Sequence, residues 1–112
     1  MSLADTLRRQ RESWIEAGGF RFQVRRPRDL DLMRWRQEGG NAGVALHSVV
    51  GWEGVTQGDV LGGAQDDTPA EFSAELAQEW LGDRLDLLLP IWDEVQRLIV
   101  ARQETRETAA KN

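Results

Sequence analysis

Gly18-Gly19, set between two short alternating runs, constrains this chain more than any other stretch. A two-residue loop between strands needs positive φ at both positions, which glycine adopts at no steric cost. The segment Ser13-Trp14-Ile15-Glu16-Ala17-Gly18-Gly19-Phe20-Arg21-Phe22-Gln23-Val24-Arg25 is therefore predicted to form a β-hairpin. Its register would pair Ala17 with Phe20, Glu16 with Arg21, Ile15 with Phe22 and Ser13 with Val24. One face then carries Ile15, Ala17, Phe20, Phe22 and Val24, and the other Trp14, Glu16, Arg21 and Gln23. The competing pattern extends an N-terminal helix to Ala17 and ends it at Gly18. A hairpin alone is marginal in water, so this one requires helices to pack against.

The remaining chain supplies them. Ser2 is placed to cap a short helix over roughly residues 3–11, with Leu3 and Leu7 on one side. After Arg26-Pro27, Asp29 opens a second helix with Leu30, Leu32, Met33 and Trp35 along it, stopped by Gly39-Gly40. Residues 42–50 read as a helix ending at Gly51, through Ala42, Ala45, Leu46 and Val49, and Val44, Val49 and Val50 also suit a strand. Thr56 to Asp59 forms a capped single turn, and Val60 to Asp67 a glycine-rich acidic loop. Thr68-Pro69-Ala70-Glu71 carries the strongest helix-start pattern, with Phe72, Leu76 and Trp80 following at intervals of four. A last helix from about Leu85 presents Leu88, Trp92, Val95 and Ile99, with Pro90 expected to kink or break it. From about residue 102 the chain is polar and expected to fray. The prediction is an α+β fold over 1–112, mainly helical, with one N-terminal hairpin packed on helices.

Composition narrows the function classes. The chain has 112 residues, enough for one core, and no cysteine, so disulfides and thiolate metal sites are excluded. Its net charge is −5, split between about +3 over residues 1–38 and about −8 over 39–112. Such acidity gives no broad attraction to nucleic acid or anionic lipid. No apolar run approaches the roughly 20 residues of a membrane helix. His47, the single histidine, has no second histidine near it, and Asp59, Asp66 and Asp67 lack the ligand spacing of a calcium loop. The only lysine is Lys111, so no phosphate-cradling Gly-Lys loop exists. The expectation is a non-enzymatic protein without cofactor or metal. Of the five tryptophans, Trp80 and Trp92 suit a core, whereas Trp14, Trp35 and Trp52 are candidates for a contact surface.

Three stretches carry a resemblance: Trp14 to Pro27, with Gly18-Gly19-Phe20 and Val24-Arg25-Arg26-Pro27; Val50-Gly51-Trp52-Glu53-Gly54-Val55-Thr56, with Asp59-Val60-Leu61 after it; and Asp67-Thr68-Pro69 with Phe72. Together they span roughly residues 12–100, and the chain resembles the small tail assembly chaperones of long-tailed bacteriophages and prophages. The resemblance implies a cytoplasmic binding protein that coats the tape-measure protein before tail-tube subunits assemble around it. It also implies contact or fold roles for Arg25, Arg26, Trp52 and Val55, and no catalytic residue. Trp35 and Trp52 with Val55, the latter pair held out by Gly51 and Gly54, are the expected partner-binding surface, with self-association when the partner is absent. The alternatives are a minor tail or tail-completion subunit, and a small nucleic-acid-associated regulator.

Overall fold

The computed structural model describes residues 2–63 and 65–111; Met1, Ala64 within the expected loop and Asn112 at the end of the expected tail lie outside it. Elements follow the chain as α1 (Leu3–Gln10), β1 (Glu12–Ala17), β2 (Phe20–Arg25), α2 (Asp29–Ser48), β3 (Val49–Glu53), α3 (Gln57–Leu61), α4 (Ala74–Leu81) and α5 (Leu85–Lys111). The fold is α+β, with an antiparallel sheet ordered β1-β2-β3 and the N-terminal hairpin packed on helices.

The hairpin has the predicted register, with Ile15 opposite Phe22 and Ala17 opposite Phe20. Gly18 and Gly19 turn it at φ of 60° and 86°. A Cβ on Gly18 would also lie 2.5 Å from Leu87 Cδ2, so the turn is pressed against α5. Gly18→Ala is expected to lower stability by about 1–3 kcal/mol, read from urea unfolding, because φ strain and overlap add. An unchanged midpoint would show that the turn relaxes freely.

The inner face of the sheet places Phe22 and Val24 fully out of solvent. Opposite them lie Leu81 of α4 and Leu87, Ile91 and Val95 of α5, with Val44 and Ala45 of α2. The outer face is polar: the Arg21 guanidinium bridges to Glu53 and lies 4.8 Å above the Trp14 ring. This is the alternation of a sheet with one wet face.

Four expectations are corrected. The helix assigned to residues 42–50 stops at Ser48, and Val49 to Glu53 forms β3 against β2. The hairpin leaves β2 with an open edge beside an apolar core, and β-branched Val49 pairs onto it opposite Val24. Gly39 and Gly40 do interrupt α2, with Gly40 at φ 59°. The helix start expected at Thr68-Pro69 is displaced to Ala74, capped by Ser73 Oγ at 3.0 Å from the Leu76 amide. Thr68 to Ala70 instead runs extended beside Val55 to Gln57: the Ala70 amide donates to Val55 O at 2.9 Å and the Gln57 amide to Thr68 O at 2.8 Å. Those two bonds hold the backbone out of helical geometry. Val60 and Leu61, expected in a loop, belong to α3, which Thr56 caps reciprocally with Asp59. Finally, α5 does not break at Pro90 but continues through it as one helix, Leu85–Lys111. Pro90 removes the donor to the Asp86 carbonyl, and Asp86 is exposed, so burial adds no penalty to the lost bond. In the polar end of α5, Arg102 and Arg106 both reach Asp29.

Candidate binding cleft

The hairpin, α1 and α2 converge at the end of β2, where four consecutive residues, Arg25-Arg26-Pro27-Arg28, turn the chain from sheet to helix. Pro27 fixes φ and ends the ladder. The Arg26 amide donates to Arg11 O at 2.7 Å, and Arg11 Nε donates to Arg26 O at 3.2 Å, which ties the C-terminus of α1 to this corner. α1 buries no residue of its own, so it stands off the body as a ridge. Leu3 is 80% exposed and Leu7 55%.

A cleft of about 520 Å³ opens between that ridge and α2. Leu7, Trp35 and Val50 line its apolar part, and Arg8, Arg11, Arg25, Arg26 and Arg28 its rim. A register shift between Gln23 and Val24 leaves Val50 as an extra residue in β3. Such a bulge redirects a side chain, and Val50 accordingly lines the cleft. Trp35 stacks on His47, rings 5.0 Å apart and 17° from parallel. His47 Nε2 lies 3.1 Å from Glu38 Oε2 and Nδ1 lies 3.5 Å from Gln78 Nε2, so both ring nitrogens have polar neighbours. On the other side of the ridge, Leu7, Arg11 and Arg26 also line a groove of about 420 Å³ against Leu98 and Arg102 of α5.

Most of the rim cations have carboxylates. Arg8 meets Asp5 at 2.8 Å, Arg28 binds Asp31 at 2.8 and 3.0 Å, and Arg25 reaches Glu12 at 3.6 Å. Arg28 holds the Asp31 carboxyl below its usual range, mainly by hydrogen bonding. Arg11 and Arg26 have only carbonyl oxygens, Arg26 donating to Pro27 O at 2.9 Å. Burial lowers the pKa of both, followed by the charges of Arg25 and Arg28 on Arg11 and of Arg102 and Arg11 on Arg26. Arg25 Nε is buried without an acceptor.

Of the residues singled out from sequence, the fold brings Arg25, Arg26 and Trp35 together here. It takes Trp52 and Val55 elsewhere. Val55 is 3% exposed, within the core. The expectation that Gly51 and Gly54 hold these two side chains out is corrected. Gly51 is a strand residue opposite Gln23, where a Cβ would meet Gln23 Oε1 at 2.9 Å, and Gly54 turns the chain at φ 79°. Trp52 points to the inner face opposite Phe22, its Nε1 donating to Ala70 O at 2.8 Å. Leu7, Arg11 and Val50 were missed as cleft residues. The i, i+4 pair of Leu3 and Leu7 in a helix crowded with arginine was the available sign.

Among the described residues, no group of three or more His, Asp or Glu side chains is placed to hold a metal ion. No helix among them is long and apolar enough to cross a membrane. Set against protein-family models, curated proteins and solved structures, the chain matches none.

Proposed function

We propose that this protein is a non-enzymatic binding module acting as a phage or prophage tail assembly chaperone, which holds apolar helical stretches of the tape-measure protein until tail-tube subunits assemble. The observation that carries the reading is the apolar floor of the cleft: exposed Leu7 faces half-buried Trp35 and Val50 beside an α1 ridge that buries none of its own leucines. Large exposed apolar side chains grouped around a concavity mark partner surfaces more often than isolated ones do. The stacked Trp35–His47 pair gives the floor a rigid aromatic anchor, the kind of residue on which binding energy concentrates.

Leu7→Glu tests it, because Leu7 is peripheral and its loss leaves the core intact. The variant is expected to keep its circular dichroism and melting temperature while losing about tenfold or more in capture of co-expressed tape-measure protein. Undiminished capture would remove the cleft from the binding surface. Mass spectrometry of purified virions separates the roles: a chaperone is absent from the particle, and retention would make the chain a tail subunit.

A further inference from the structure

We infer that Arg11 and Arg26 form a carboxylate-reading pair, so that the segment seated against α1 is an acidic amphipathic helix. This rests on the binding reading above and adds the chemistry of the partner.

The argument is one of unmet charge. Arg8, Arg25, Arg28 and Arg102, which surround the pair, each have a carboxylate within 4 Å. Arg11 and Arg26 are half-buried and, among the described residues, have none that close, Asp31 and Asp29 acting on them only from farther away, although the chain carries 19 acidic residues against 14 basic ones. A guanidinium taken partly out of water is costly unless a counter-charge meets it. The one carboxylate on the cleft wall, Asp31, is already held by both arms of Arg28. Arg25 Nε adds a buried donor without an acceptor at the same corner. These groups are retained beside apolar surface on an acidic protein, an arrangement that favours an anionic and amphipathic visitor. A carboxylate suits it, since planar guanidinium and carboxylate groups match two donors to two acceptors.

The shape favours a helix. Leu3 and Leu7 lie one turn apart along the ridge, with grooves on both sides, and Leu7, Arg11 and Arg26 face both. A helix about 10–12 Å across laid along α1 would set an apolar i, i+3, i+4 stripe on Leu7, Trp35 and Val50. Acidic residues flanking that stripe would reach Arg11 and Arg26. Nucleic acid fits less well, because a chain of net charge −5 repels a continuous phosphate backbone.

The test uses the full chain and two fluorescent amphipathic peptides of about 20 residues, alike in their leucine stripe, one flanked by Glu and one by Gln. Anisotropy should show the Glu peptide binding about tenfold tighter, the worth of one charge-assisted bond. Arg11→Gln with Arg26→Gln should bring the ratio of Glu-peptide to Gln-peptide affinity to about one, whatever the change in either affinity, with circular dichroism showing that the variant is folded. Arg9→Gln, outside the cleft, should not alter the preference. Equal binding of the two peptides, or a preference that survives the double variant, overturns the inference. So would displacement of the Glu peptide by a stoichiometric DNA duplex, or a dimer that dissociates on Arg11→Gln without peptide binding. If tape-measure capture persists while the charge preference is absent, only the carboxylate reading fails and the chaperone reading stands.

Discussion

Phe22→Asp is expected to leave the chain unfolded at room temperature, whereas Arg21→Asp, one residue away, leaves it folded. Phe22 has no exposed surface and sits on the central strand, flanked by Ile15 and Trp52. Its ring lies 6.1 Å from that of Phe20 and 6.4 Å from that of Trp80. Losing a buried phenyl ring costs about 3–5 kcal/mol. Burying a carboxylate with no partner there costs several more, against a total stability of about 5–15 kcal/mol. Arg21 faces solvent, and its bridge to Glu53 is an exposed pair of the kind worth about 1 kcal/mol or less. Circular dichroism and a thermal scan of the two variants decide the matter; equal tolerance would mean that the two faces of the hairpin are assigned wrongly.

Trp52→Ala is expected to cost about 2–4 kcal/mol, somewhat below the range for a fully buried aromatic side chain, because the indole is half-buried against the core. The indole meets Phe72 at 4.9 Å and Trp80 at 5.5 Å, both edge to face. Its N–H satisfies the Ala70 carbonyl, so it also ties the extended segment before α4 to the sheet. Trp52→Phe keeps part of the packing and loses the bond, and should recover more than half of the deficit. A net hydrogen bond is worth about 1 kcal/mol, while the ring contacts supply the remainder. Urea unfolding of the three proteins gives the comparison. A Trp52→Ala protein with an unchanged midpoint would return the indole to the list of surface contacts.

The two predictions rest on different kinds of information. For Phe22 the alternation around Gly18-Gly19 was sufficient, because a hairpin register is set by residues only a few positions apart. For Trp52 it was not. Glycine on both sides of an indole resembles a device for presenting it, and only the pairing of β3 with β2 turns the ring inward. The cleft divides in the same way. Arg25, Arg26 and Trp35 could be singled out as unusual residues. That Arg11 and Val50 complete the same concavity depends on where α1 comes to rest and on the bulge in β3.

From its sequence alone the chain determines the hairpin and its faces, the Ser2 cap of α1, the break of α2 at Gly39-Gly40 and the Thr56–Asp59 cap of α3. Each of these is a matter of φ, of a side chain reaching its own backbone or of a two-residue period, and all the partners are sequence neighbours. The tertiary structure decides whether Val49 to Glu53 is helix or strand, and whether Thr68-Pro69 starts a helix or lies extended beside Val55. It also decides whether two arginines end up without a carboxylate. Those outcomes turn on hydrogen-bond donors, sheet edges and charges from distant parts of the chain. A capping residue offers about 1 kcal/mol, and the two backbone bonds to Val55 and Gln57 together outweigh it.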